Sequence, residues 1–260
     1  MRVLFFSILW MIVTTNLFAE TIRITSGEWE PYLSNYSYQY GLDSHIVTEA
    51  FKLEGITVEW GFFPWQRAYQ HAKDGKNWDA SCCWWPEDEV KQEFLVSDAI
   101  TTTSFVFFHL KDYNFQWDSL QDLKGIKIGG TSNYNYGEEF MDAIEEESLD
   151  VEFVTKDEFN YKKLLAGRIK IFLNDPSVGH AQIKNYLSAD EADLLTHSPK
   201  EFGVNTLHFI ISKNKKRNKY YLDKFNAGLK KLKKSGRYQQ MLADFKAGKY
   251  DKKQFNSIEQ

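Results

Sequence analysis

Short apolar strands alternate with amphipathic helices along this chain, and the alternation runs, pauses and starts again. Thr21-Ile22-Arg23-Ile24-Thr25 has the two-residue period of a strand. The helix after it carries Ile46, Val47, Ala50 and Phe51 as a buried stripe, with Asp43 or Ser44 as its cap and Gly55 as its stop. Residues 57–63 read as a second strand, Pro64 opens the next helix, and Gly75 ends it. A third strand leads to Trp84-Trp85 and breaks at Pro86. Strand and helix in this order make an α/β layer. Beyond a long apolar strand over residues 102–110, a second set begins at 125–130 and runs to Asn174-Asp175-Pro176. A helix to about residue 187, a strand over 208–212 and two helices complete the chain. The 260 residues are enough for two α/β lobes.

The first residues stand apart. Arg2 precedes an apolar run over residues 3–13, and Leu17-Phe18-Ala19 offers small-residue cleavage before Glu20. This is the pattern of a cleaved secretory signal over residues 1–19, and it places the mature chain in the periplasm. The run is short against the roughly 20 apolar residues of a membrane span. Charge is lopsided. Residues 213–260 hold fifteen Lys and Arg against four Asp and Glu. Exported protein seldom meets nucleic acid, so the basic tail reads as solvated helix faces and no nucleic-acid partner is expected.

One stretch gathers the unusual chemistry. Cys82-Cys83-Trp84-Trp85 ends the third strand, and Glu87-Asp88-Glu89 follows Pro86. Large aromatics at a strand end before an acidic turn suggest a cleft wall. The two cysteines are adjacent, outside ordinary disulfide geometry. Two reduced thiols are the reading taken here, with a vicinal disulfide as the alternative. Two adjacent thiols with no nearby His do not make a metal site, and no cofactor is expected. The three acids read as a solvated turn. His45, His71, His109, His180, His197 and His208 are scattered. Cys83 is the one candidate nucleophile and has no identifiable base, so no enzyme is expected.

Ten short motifs in order resemble those of the bacterial extracellular solute-binding proteins of family 3, the amino-acid-binding type that serves ABC importers. Among them are Gly27-Glu28-Trp29-Glu30-Pro31-Tyr32, Gly41-Leu42-Asp43, Pro64-Trp65-Gln66-Arg67-Ala68, Asp79-Ala80 and Phe94-Leu95-Val96-Ser97. Leu123-Lys124-Gly125, Gly167-Arg168 before Asp175, Ile211-Ser212-Lys213 and Ser235-Gly236-Arg237-Tyr238 continue the series. The resemblance implies a two-lobed type II periplasmic binding fold. Each lobe would be a mixed sheet flanked by helices, joined by crossing strands over 103–110 and 205–211. Lobe one would span residues 20–107 and 207–260, and lobe two residues 108–206. The resemblance also implies a monomer that closes on a small solute and presents it to a membrane permease.

By the same resemblance Trp29, beside Tyr32, stacks on the solute, and Cys83, Trp84 and Trp85 line the wall of lobe one. Gly130-Thr131-Ser132 would be a turn at a helix start, able to hold an anion, and Asp175 would pair with an amine. The family usually grips an α-carboxylate with an Arg before the Phe-Ser pair. Here the corresponding place is Val90 or Lys91. Lys offers a point charge and not a fork, and Arg67 could supply the charge instead. The residues fit an amine or other cation held by Trp29, Trp65, Trp84, Trp85 and Asp175. An uncharged or aromatic solute is the rival, and at least one of the four tryptophans is expected in the core. Sensing without a dedicated importer is the alternative to transport, and an enzyme on the same fold a more remote one.

Overall fold

The computed structural model describes residues 20–132 and 134–251. The leader read over residues 1–19 lies outside the described residues. The strands are β1 (Glu20–Ser26), β2 (Ile56–Phe62), β3 (Ala80–Trp84), β4 (Phe94–Leu110), β5 (Lys127–Thr131), β6 (Asp150–Val154), β7 (Ile171–Asn174), β8 (Leu195–His197) and β9 (Phe202–Ser212). Their spatial order is β2-β1-β3-β9-β4-β7-β5-β6, with β8 on β4. The first half is mixed: β1 runs parallel to β2 and β3, and β9 runs antiparallel to β3 and β4. In the second half β5 is parallel to β6 and β7, and β7 is antiparallel to β4.

One strand belongs to both halves. Residues of β4 from Phe94 to Phe105 pair with β9, and Val106, Phe107 and Phe108 pair with β7. The chain is therefore a two-lobed α/β fold with β4 and β9 crossing between the lobes. Both crossings start earlier than expected from the sequence. Ser97-Asp98 interrupts the apolar run of β4, and the ladder with β9 shifts register between Val96 and Ala99. Ser97 nevertheless stays in the sheet, because its Oγ accepts from the Phe209 N–H at 3.0 Å.

Helices α1 (Leu42–Lys52), α8 (Asn218–Lys234) and α9 (Arg237–Lys246) bury their apolar stripes with Ile22, Ile24, Phe209 and Ile211 of the first half. The rings of Phe51, Phe209 and Phe225 meet at centroid distances of 5.5, 5.4 and 5.1 Å. Ile210, between Phe209 and Ile211, faces the other way. It packs with Ala72 of α2 (Trp65–Asp74) and with Val90 of α3 (Asp88–Glu93). In the second half Phe107, Ile128 and Leu173 share one cluster, while Phe108 and Phe172 join Tyr161 in another. There the helices are α4 (Glu138–Glu145), α5 (Asp157–Leu165), α6 (Pro176–Tyr186) and the short α7 (Ala189–Asp193).

Three local expectations change. Gly41, at φ +98°, is the N-cap of α1, and Asp43 and Ser44 sit fully buried inside its first turn. The acids after Pro86 start α3 and do not form an irregular loop, since Asp88 and Glu89 suit the positive end of a helix. The basic tail is not simply solvated. Arg217 pairs with Glu20, Lys215 with Asp79, and Lys224 and Lys231 both with Glu54, so acids of the first half hold α8 and its approach.

Candidate functional site

A cavity of about 190 Å³ opens where the two halves meet. Trp29, Trp65, Cys83, Trp84, Trp85, Glu87 and Val90 come to it from the first half, and Tyr134 and Asn135 from the second. Phe105 of β4 and Leu207 of β9 supply the crossing strands. All four candidate tryptophans line it, so none is withdrawn into the core as expected. Each is half-buried and packs its far side against a core cluster.

Local chain geometry sets these walls. β3 pairs Cys82 with Phe209 and then Trp84 with His208, leaving Cys83 as an extra residue. Cys83 takes the left-handed φ of +71°, which turns the chain and brings Trp84 and Trp85 to the cavity. Trp84 stands edge-on to Trp65 at 5.3 Å and donates Nε1–H to the Ser81 hydroxyl at 2.8 Å. Trp85 stands edge-on to Phe105 at 5.7 Å. Trp29 stacks on Tyr32 at 4.8 Å. Cys82 and Cys83 are joined in a disulfide, correcting the expectation of two reduced thiols. Cys82 is buried in the core while Cys83 reaches the cavity, which is the division expected for the two side chains.

Among the described residues Glu87 is the one charged member of this lining. It is exposed at the rim, and Asn135 of the other half donates its amide to the Glu87 carboxylate. Partial burial and then the Glu89 charge push the Glu87 carboxyl above its ordinary range, against the Asn135 hydrogen bond. The remaining lining is apolar or aromatic.

Other sequence candidates fall elsewhere. Tyr32 is buried behind Trp29 and donates to Asp175 at 3.4 Å. Asp175 does not line the cavity. It caps α6 by accepting from Ser177 and Val178 N–H at 2.8 and 3.0 Å, and burial lifts its carboxyl to about 7. Lys91 lies on the outer side of α3 and pairs with Asp88 at 3.2 Å, whereas Val90 faces the cavity. Arg67 is exposed on α2 and does not line the cavity. Thr131 and Ser132 end β5, but α4 begins only at Glu138 with Gly137 as its cap, so this turn is not a helix start. The Thr131 N–H goes to the Tyr136 oxygen and the Ser132 N–H to the Val154 carbonyl. Thr131 Oγ1 donates to Asp157, which also receives Tyr134 and Gln182. Those groups build the second half, and the Thr131 and Ser132 N–H groups are already taken within it.

The sequence reading missed Glu87, Phe105, Tyr134, Asn135 and Leu207. Phe105 and Leu207 lie within the crossing strands expected over 103–110 and 205–211, and Tyr134 and Asn135 follow the expected Gly130-Thr131-Ser132 turn. Those were the available signals.

The model of the bacterial extracellular solute-binding proteins, family 3, matches residues 24–247. The chain belongs to that family. No curated protein matches its sequence. Among solved structures, a histidine kinase sensor domain with similarity to periplasmic binding proteins superposes with TM-score 0.69 at 16% identity, over 87% of this chain and 96% of that one. An ancestral arginine-binding protein bound to arginine gives TM-score 0.69 at 19% identity, over 86% and 97%. A second substrate-binding domain, assigned to an amino acid ABC transporter from Streptococcus pneumoniae, gives 0.62 at 19%, over 88% and 99%. At these identities the likeness is one of fold, and it agrees with the two-lobed architecture.

Proposed function

We propose that this family member captures a small amine-bearing or otherwise cationic solute between its lobes and hands it to an ABC-type importer. One observation carries the solute class: the cavity is walled by four tryptophans, Phe105 and Tyr134, and among the described residues its lining has no Arg or Lys and Glu87 as its single charge. Aromatic faces attract a cation through their quadrupoles, and a carboxylate at the rim completes the neutralisation. An α-carboxylate would find no cation among the described lining residues, and the Glu87 carboxylate would repel it. The earlier choice of Asp175 as the amine partner gives way to Glu87, because Asp175 is buried behind Tyr32.

In this reading the lobes are residues 20–107 with 207–260, and residues 108–206. The solute lands on Trp29, Trp65, Trp84 and Trp85, and lobe two brings in Tyr134 and Asn135. A solute that contacts both lobes favours the closed form, because its affinity for that form is greater. The leader over 1–19 directs export and is removed, leaving a monomer in the periplasm. The importer reading draws on the transporter domain of similar fold. Sensing through a membrane partner is the second reading, favoured by the sensor domain of similar fold.

A thermal-shift screen tests the solute class. A solute that binds only the native state raises Tm by mass action. Monoamines, polyamines and quaternary ammonium compounds are expected to raise it, and ordinary α-amino acids are not. Glu87→Gln should weaken the amine response by about tenfold, or ~1.4 kcal/mol. Shifts with neutral aromatics that survive Glu87→Gln would favour the uncharged rival.

A further inference from the structure

The disulfide between Cys82 and Cys83 is placed where a bond between neighbours has a local effect. Cys82 is fully buried, and Cys83 touches the cavity. The register shift of β3 against β9 falls between Cys82 and Trp84. Cys83 holds φ +71°, a conformation that L-residues other than Asn, Asp and Gly adopt at a cost. The next two residues are Trp84 and Trp85, both in the wall. The bond therefore spans the residue that turns the chain, and its loss frees that residue to return to an extended backbone. Cys83 lines the cleft, so a small reductant that enters the cleft reaches this residue.

We propose that the Cys82–Cys83 disulfide is a redox-sensitive element of the cavity wall, holding Trp84 and Trp85 in place when oxidised and releasing them when reduced. Reduction by a dithiol breaks the S–S bond. Two electrons and two protons reach the cysteine sulfurs, giving two thiols, and the dithiol leaves as its own disulfide. Reoxidation reverses both changes. The consequence for solute capture rests on the function proposed above. The wall rearrangement does not, and it is read without any solute.

The experiment uses the purified protein labelled with fluorotryptophan and followed by fluorine NMR, with Trp84 and Trp85 assigned through Trp→Phe variants. A chromogenic thiol reagent counts thiols in parallel, on samples freed of reductant and unfolded in denaturant so that buried Cys82 is also counted. The protein isolated without reductant should show no reactive thiol, and after dithiothreitol it should show both of its cysteines. The Trp84 and Trp85 resonances should shift on reduction and return on reoxidation, while those of Trp60 on β2 and Trp117 in the core of the second half, neither of which lines the cavity, hold still. A Cys82→Ser, Cys83→Gly variant should keep the oxidised positions, because glycine takes positive φ freely. A Cys82→Ser, Cys83→Ser variant should resemble the reduced protein. Free thiols in the protein as isolated, or unmoved Trp84 and Trp85 resonances after both thiols appear, would overturn the proposal. Either result would leave the solute reading to its own test.

Discussion

The Asn135 side-chain amide donates to the Glu87 carboxylate, and the two residues reach the cavity from opposite halves of the fold. No sheet ladder joins their elements, so this contact links the halves independently of β4 and β9. Replacing Asn135 by Ala and Glu87 by Ala, singly and together, should show a coupling energy of about 0.5–1.5 kcal/mol in thermal unfolding. Strict additivity of the two substitutions would mean that the contact does not tie the halves in solution.

Gly27 supports the same wall from behind. A Cβ built on it would lie 2.3 Å from the Trp65 ring. Since Trp65 is half-buried at the cavity, it is the side chain that must move. Gly27→Ala is expected to weaken amine binding by about tenfold, ~1.4 kcal/mol in calorimetry, with a smaller effect on Tm. Unchanged affinity would show that Trp65 takes no part in the solute site.

A converse change addresses specificity. Val90→Arg would place a guanidinium beside the tryptophans, and a guanidinium forks onto a carboxylate. The variant should gain thermal shifts with α-amino acids and lose those with amines. If it folds and gains none, the apolar Val90 is not what sets the charge of the solute.

Buried acids give the stability a particular pH dependence. Burial raises Asp43 to about 8 and Asp175 to about 7, from an ordinary 3.8. Between those values the folded chain keeps protons that the unfolded chain has released. Their stabilisation is complete below the unfolded pKa and is lost as pH rises through about 7 to 8. His45 acts oppositely. Burial lowers it from 6.5 to about 4, so its contribution is lost as pH falls through that window. Tm should therefore climb from pH 8 down to about 6.5 and more slowly below that, where one His opposes two acids. Asp43→Asn should flatten the upper slope, because the amide imitates the protonated acid. Wild-type stability that increases between pH 6.5 and 8 would contradict this assignment.

Gly228 marks the tightest helix contact. A Cβ there would fall 1.9 Å from the Ala50 carbonyl oxygen, a backbone atom that cannot swing aside. Gly228→Ala should force α8 from α1 and cost about 1–3 kcal/mol in denaturant unfolding. A neutral result would indicate that the two helices separate without strain.

The two-lobed fold was legible because its signals are local. Ile22 and Ile24 alternate, Phe51 and Phe225 recur at helical spacing, and Gly75 ends α2 where its φ of +62° requires it. Parts of the site were legible for the same reason, since Cys83, Trp84 and Trp85 follow one another at a strand end. Glu87 was not. Whether a carboxylate on a turn faces water or a cavity depends on where Asn135 arrives, and that residue comes from the other half. Asp175 was misplaced for a related reason. A helix cap and a ligand carboxylate look alike in sequence, and only the two N–H groups on Asp175 distinguish them. Val90 and Lys91 could not be separated by counting, but the rotation of about 100° per residue around α3 points them to different sides.

The position of β9 also governs how the molecule can be made. It lies between β3 and β4, yet it is the last strand in the chain. Until residues 202–212 arrive, β3 and β4 have no common neighbour and the first half has two open edges. No N-terminal fragment can complete that sheet, so assembly waits on contacts of long sequence separation. A nascent chain of this topology stays unlocked until nearly all of it is available, a condition suited to being threaded through a membrane before it folds.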